Sequence, residues 1–287
     1  GGERLPLAIR GIQLEGFDYE VPEASAQVKT ALLLAALKAR GTSRITQQTA
    51  TRDHTERMFA YLQVPLHREG PTLTLRGPIQ PVARDIEVPG DPSSAAFFVV
   101  AGLLVPGSRV TVRGVCLNPT RLGFVRVLER MGARLAVRAT GSAAGEEIGE
   151  IAAEATPLRA TVVEAAEVPT LVDEVPILAV AASQAEGTTW FRGVQELRSK
   201  ESDRLAALRH ELGALGAGLR EEGNDLAVTG PRPLSGAAVE SHDDHRMAMA
   251  LSVAALAAAG TTTVRGHKCV RISFPGFYEL LRSMLGE

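Results

Sequence analysis

Cysteine is almost missing from this chain. Cys116 and Cys269 are the two in 287 residues, and they are too few and too far apart for a zinc spacing or a disulfide framework. Both are expected to be small buried hydrophobes, which fits a reducing, cytoplasmic setting. An excess of either charge is missing too: 31 basic against 33 acidic residues leave a formal net charge of −2. That balance gives no bulk attraction for nucleic acid or an anionic membrane, so any anion binding must come from local groups of Arg and Lys. No apolar run reaches membrane-spanning length free of polar residues, and the opening GGERLPLAIR has no apolar stretch of signal-peptide type. Neither export nor insertion is expected.

What is present is a core-forming composition and a repeat. With 45% hydrophobic and 22% charged residues, the chain can bury a substantial core in one large domain or two medium ones. Four stretches share one pattern of apolar helix, glycine break and short β-prone strand: residues 31–46, 96–115, 176–195 and 249–267. After three of those strands comes an amphipathic helix with a charged start, as in TRDHTERMFAYLQV, NPTRLGFVRVLERMGA and KESDRLAALRHELGAL. FPGFYELLRSML offers a fourth. A glycine turn and hairpin follow, most clearly in AGLREEGNDLAVTG. The repeat unit is therefore about β-α-β-α-β-β, and its two helices cannot hide their apolar faces without neighbouring copies.

Each first helix opens on residues suited to capping: Ser25-Ala26-Gln27, Asp91-Pro92-Ser93-Ser94, Asp173-Glu174 and Asp244-His245-Arg246. Repeats packed about one axis would point several helix starts the same way, and their free N–H groups and positive dipole ends would attract phosphate or carboxylate. The segment ELRSKESDR, 196–204, is charged or hydroxylated at every position but Leu197. If it starts a helix, Lys200 and Arg204 share a face, with Glu201 between them. A solvated surface helix is the plain alternative. SHDDHR, 241–246, has the residue types of a metal site, but two histidines three apart with an adjoining arginine make a poor one, and no metal is expected.

ASAQVKTALLLAAL, TRDHTERM, MGA, KESDRL and DHRMAMALSVAAL in combination resemble the enolpyruvyl transferases, on the branch that acts on shikimate 3-phosphate. The resemblance implies an α/β fold of repeated βαβαββ units, of the inverse α/β barrel type, in two domains: 1–82, incomplete and one unit long, and 88–287, three units with the last lacking its closing hairpin. It implies transfer of the enolpyruvyl group of phosphoenolpyruvate to the 5-hydroxyl of shikimate 3-phosphate with release of phosphate, without cofactor or metal. Asp173 then takes the proton of the attacking hydroxyl, Glu201 exchanges a proton at the enolpyruvyl methylene, and Lys200 contacts ligand and handles protons. Arg204 and Arg246 hold the phosphoenolpyruvate anion. Ser25, Ala26, Thr51 and Arg52 receive the shikimate phosphate, and Gln27 bridges towards the second ligand.

The chain departs from that pattern at its start, where PGDKS-like and GNSGT-like segments and a further arginine are expected and absent. It resembles the C-terminal two thirds of the family's chains. A monomer with impaired activity is therefore expected, with a complementing N-terminal segment as the one protein partner. Two alternatives stay open: the sister transferase acting on UDP-N-acetylglucosamine, and an inactive fragment that only binds ligand. Arg271 and His245 carry no assigned role.

Overall fold

The computed structural model describes residues 6–22 and 24–286, so the first five residues of the stretch read above for a leader, Glu23 and Glu287 lie outside it. The chain divides into two compact units, Gly1–Glu87 and Val88–Glu287.

The first unit is one copy of the repeat: β1 (Asp18–Glu20), α1 (Ala26–Ala36), β2 (Gly41–Thr46), α2 (His54–Tyr61), β3 (Leu66–Glu69) and β4 (Thr72–Gly77). Its sheet runs β1-β2-β4-β3, with β1 parallel to β2 and the other pairs antiparallel. The parallel pair needs a crossover, which α1 supplies. Leu33 and Ala36 from α1, Leu37 that caps it and Phe59 from α2 pack with Ile45, Leu73 and Leu75 from the sheet as the core.

The second unit contains α3 (Pro92–Leu104), β5 (Arg109–Cys116), α4 (Gly123–Arg130), β6 (Arg134–Ala143) and β7 (Glu146–Glu154). Next come β8 (Val162–Val163), α5 (Val175–Ser183), β9 (Gly187–Phe191), α6 (Arg204–Ala207), β10 (Gly218–Glu222) and β11 (Asp225–Gly230). Then follow β12 (Leu234–Ser235), β13 (Ala238–Glu240), α7 (His245–Leu256), β14 (Ala258–Ala259), β15 (Thr263–Arg265) and α8 (Phe277–Leu285). The sheet β8-β9-β11-β10 repeats the order of the first unit, and β5-β7-β6, with a parallel bridge from Gly90 to Val115, repeats it again. The third copy contributes the parallel pairs β13/β15 and β12/β14. The βαβαββ grammar is thus met in full in the first unit and in the β8–β11 copy, nearly so in the β5–β7 copy, and only in part in the third, where no hairpin follows α8 among the described residues.

The helices α3, α5 and α7 pack against one another at the centre of this unit. Every residue of α5 is buried, as are eleven of α3, Pro92 to Leu103 with Ser94 the exception. A helix apolar on all sides has no solvent face and must lie inside, and alanines at 95, 96, 179, 181, 182, 248, 250 and 254 let the three axes approach. Each fully buried Leu, Ile, Val or Phe here contributes about 1.5–3 kcal/mol of transfer free energy. Phe277 of α8 closes the layer on α3, with its ring edge-on to Phe97 at 6.2 Å and tilted on Phe98 at 5.4 Å. Cys116 is buried as expected, whereas Cys269 is only half-buried, its thiol 3.8 Å from Ser241 Oγ, and both are free thiols. No helix among the described residues is long and apolar enough to cross a membrane.

Candidate functional site

In the second unit the starts of α3, α5 and α7 are tied together by side chains. Asp91 caps α3 by accepting from the Ser93 and Ser94 amides, and Arg121 donates to Asp91 Oδ1 at 2.8 Å and to Ser93 Oγ at 2.7 Å. Burial raises the Asp91 carboxyl, but Arg121 and the Ser93 amide outweigh it and hold the group below its ordinary range. Ser93 Oγ in turn donates to Glu174, which stands at the start of α5. Glu174 is 1% exposed and its second oxygen has no hydrogen-bond partner among the described residues. Burial pushes its carboxyl up, and Ser93, Arg121 and Arg246 offset that only in part.

Asp244 caps α7, accepting from the Arg246 amide at 2.9 Å and the Met247 amide at 3.4 Å. Its other oxygen receives Arg204 Nε at 2.8 Å and Ser202 Oγ at 3.1 Å. Burial raises this carboxyl too, yet the Arg204 bond and charge hold it below the ordinary value. Arg204 is fully buried. Its Nη2 meets Glu201 Oε2 at 2.5 Å, and its Nη1 lies 3.6 Å from Asp173 Oδ1, an ion pair without a hydrogen bond. That nitrogen has no hydrogen-bond partner among the described residues. Arg246 Nη2 stands 3.6 Å from Asp173 Oδ2. Asp173, Glu201, Arg204 and Arg246 are therefore one cluster at the starts of α5, α6 and α7.

Two sequence expectations are corrected by this geometry. Lys200 and Arg204 do not share a helical face: Gln195–Ser199 is a 3-10 turn, Lys200 is extended, and α6 begins at Arg204 because Asp203 caps it through the Ala206 amide. A capping aspartate needs non-helical backbone at its own position, so the helix cannot reach back to Lys200. Lys200 pairs instead with Glu196. Asp173 is not the cap of α5, for it sits in the 3-10 turn Val172–Glu174 and spends its carboxylate on the two arginines. The histidines of the 241–246 segment are also apart in role. His242 Nε2 donates to Glu211 at 2.7 Å, while burial and Arg246 push the His245 imidazole down towards its neutral form.

In the first unit Ser25 caps α1, accepting from the Val28 amide at 3.3 Å, so Ala26 and Gln27 form the first turn. Gln47 ties this start to Thr51: its Nε2 donates to the Ser25 carbonyl at 3.2 Å and its Oε1 accepts from Thr51 Oγ1 at 2.6 Å. Lys29, 2% exposed, donates to the Arg52 carbonyl at 2.8 Å and to Glu56 Oε1 at 2.7 Å. Sequence reasoning missed Gln47, Lys29 and Arg121, and named Ser93 and Glu174 only as capping residues. Lys29 and Glu174 carried a signal, each being a charged residue inside or beside a run of small apolar helix formers; Arg121 carried none.

The repeated βαβαββ units and the arginine–carboxylate cluster at converging helix starts define an enolpyruvyl-transferase type of α/β protein. The chain belongs to the EPSP synthase (3-phosphoshikimate 1-carboxyvinyltransferase) family, whose model matches residues 1–281. It is 48% identical over 279 residues to the 3-phosphoshikimate 1-carboxyvinyltransferase of Desulforudis audaxviator (strain MP104C), covering 97% of this chain and 65% of that protein. It is 46% identical over 287 residues to the protein of that name from Synechococcus sp. (strain JA-3-3Ab), covering 99% and 65%. Its structure matches an EPSP synthase from Acinetobacter baumannii with a TM-score of 0.88 at 39% identity, over 94% of this chain and 63% of that one. The enolpyruvyl transferase NikO from Streptomyces tendae shares the fold, with a TM-score of 0.75 at 24% identity. The chain thus spans about 65% of the length of the curated relatives it matches.

Proposed function

We propose that this chain carries the phosphoenolpyruvate-handling part of a 3-phosphoshikimate 1-carboxyvinyltransferase, with shikimate 3-phosphate as acceptor. The observation that carries the reading is Arg204 Nη1, a buried cationic donor that has no hydrogen bond among the described residues and lies beside Asp173. A buried donor left unpaired costs about 1–3 kcal/mol, more for a charged group, so such a group is retained where a ligand supplies the acceptor. A carboxylate or phosphate oxygen is the acceptor that matches a guanidinium edge, and Arg246 adds a second.

In this reading Asp173, held between the two arginines, removes the proton of the attacking 5-hydroxyl. Glu201, half exposed and hydrogen-bonded to Arg204, exchanges the proton at the enolpyruvyl methylene. Lys200 serves only if it leaves Glu196. Ser25, Ala26, Gln27, Thr51 and Arg52 of the first unit receive the acceptor's phosphate, the amides of a helix start and a capping hydroxyl being suited to that anion. The test is inorganic phosphate release by the 287-residue chain given both substrates, with Asp173→Asn as control. Turnover that falls by about 10²–10⁴ in the control supports the reading, since general-base assistance is worth that much. Tight shikimate 3-phosphate binding with no turnover assigns binding alone, and no binding of either substrate refutes the proposal.

A further inference from the structure

A carboxylate outside this cluster controls how the cluster is held. After α6 the helix widens into a π-helical turn, Leu208–Leu212, with Leu208 and Leu212 in the core. The same turn buries Glu211, 4% exposed, where an ordinary apolar helix position would be. π-turns are uncommon and concentrate at functional positions because they re-aim side chains. Glu211 Oε2 accepts from the Glu240 amide at 2.9 Å, and Oε1 accepts from His242 Nε2 at 2.7 Å and His210 Nδ1 at 3.0 Å.

Past Ser241, which follows the anchored Glu240 amide, come two strained residues. His242 (φ 55°) and Asp243 (φ 56°) lie in the left-handed region, which costs a non-glycine residue about 1–2 kcal/mol each. Such backbone persists only where its surroundings over-determine it. The surroundings here are Glu211 on His242, the bond from the Ser241 amide to the Arg265 carbonyl, and the Asp244 amide on the Ser241 carbonyl. Immediately beyond the strained pair comes Asp244, which caps α7 and clamps Arg204, and then Arg246.

We infer that Glu211 is a positioning residue: by holding His242 it fixes the left-handed corner 242–243, and through Asp244 it sets the placement of Arg204 and Arg246 for anion binding. The inference rests on the reading of those arginines given above. It separates from that reading because the corner's rigidity is measurable without any ligand.

The experiment uses the full chain carrying His242→Asn, Glu211→Gln or both. Asparagine tolerates left-handed backbone but is too short to reach Glu211, and His242 is partly exposed, so the fold is retained. Hydrogen exchange at the amides of Asp244–Met247 is expected to quicken about tenfold or more in His242→Asn, as local opening becomes easier. The dissociation constant for phosphoenolpyruvate, titrated at saturating shikimate 3-phosphate, is expected to rise about tenfold while that of shikimate 3-phosphate alone stays unchanged. If both residues act through one contact, the double variant is no worse than the more affected single variant. Unchanged exchange overturns the inference, whatever the ligands do. Faster exchange with unchanged phosphoenolpyruvate affinity, or additive losses in the double variant, also overturns it. Wild-type protein that binds neither substrate refutes the functional reading instead, and the exchange data still decide whether Glu211 holds the corner.

Discussion

Replacing Asp244 by Asn tests the arginine clamp more directly than any change at an exposed residue. The substitution keeps the shape and keeps Oδ1, which serves the Arg246 and Met247 amides at the start of α7. It turns Oδ2 into an N–H₂ group aimed at Arg204 Nε, now 2.8 Å away, so donor faces donor. Both side chains are fully shielded from solvent. Removing one partner of a buried ion pair costs about 3–5 kcal/mol, because the remaining charge is stranded. Glu201 and Asp173 still flank the guanidinium, which places the loss near the lower end, about 3 kcal/mol. For a unit of this size that corresponds to a fall in Tm of about 6–12 °C. Trp190 is the single tryptophan and lies in β9 of the same unit, so urea unfolding followed by its fluorescence reads the loss where it occurs. Asp244→Ala should cost about 1 kcal/mol more, through the lost cap. The sign with pH follows from the depressed Asp244 carboxyl. A group lowered in the folded state stabilises above its unfolded value, near 3.8, and that contribution is lost as pH falls through the folded value. The gap between wild type and Asp244→Asn should therefore close as pH falls below the unfolded value of 3.8. A loss below about 1 kcal/mol, or a gap that does not change with pH, would refute the clamp as a buried ion pair.

Glu174 predicts the opposite pH sign. Its carboxyl is raised by burial, so its contribution is fully present below the ordinary value of 4.5 and is lost as pH rises through the folded value; Glu174→Gln should raise Tm at pH 8 and leave it unchanged near pH 4, and a Tm gain independent of pH would contradict this. Lys29→Met strands Glu56, which is slightly exposed, so about 2–3 kcal/mol should be lost from the first unit, seen as weaker amide protection in α1 with the Trp190 transition unmoved. At Gly123, the first residue of α4, an added Cβ would run into the Thr170 carbonyl at 2.8 Å and the Leu171 side chain at 2.9 Å. Backbone cannot yield as a side-chain tip does, so Gly123→Ala should cost about 2–3 kcal/mol in urea unfolding, whereas Gly132→Ala, with open space but positive φ, should cost about 1 kcal/mol.

Periodicity made the repeat legible because each first helix carries a long run of small apolar residues and each following strand is short and bounded by glycine. No competing pattern fits residues 96–115 or 176–195, and both form helix and strand as read. The caps Ser25, Asp91 and Asp244 were legible for the same local reason. At KESDR the local signal was ambiguous, since Lys200 to Arg204 spell an acceptable helix start until Asp203 is recognised as the cap that delays it. Asp173 misled in the other direction, because a carboxylate at a helix start resembles a cap until two arginines from distant segments claim it. Arg121 and Glu174 depend on contacts across 28 and 81 residues, and neither spacing nor composition encodes those. Glu211 differs: an acid at a core position of LAALRHELGAL was visible, but its partner lies 31 residues on, at a corner whose left-handed backbone no local motif announces.

The balance of charge in the second unit explains why its helix starts suit an anion despite so many acids. Arg121, Arg204 and Arg246 face Asp91, Asp173, Glu174, Glu201 and Asp244, an excess of two negative charges if all are ionised. Burial raises the Glu174 carboxyl and so lessens that excess. The starts of α3, α5 and α7 each add about half a positive charge, which offsets most of that excess without any surplus of basic residues. The acids are needed because a fully buried guanidinium such as Arg204 must be neutralised in the absence of ligand. Of the three carboxylates around it, Asp244 is fully shielded and Asp173 17% exposed, while Glu201 is 49% exposed. Only Glu201 can shift and recover its hydration, so an anion that takes the unpaired Arg204 Nη1 strands no buried charge.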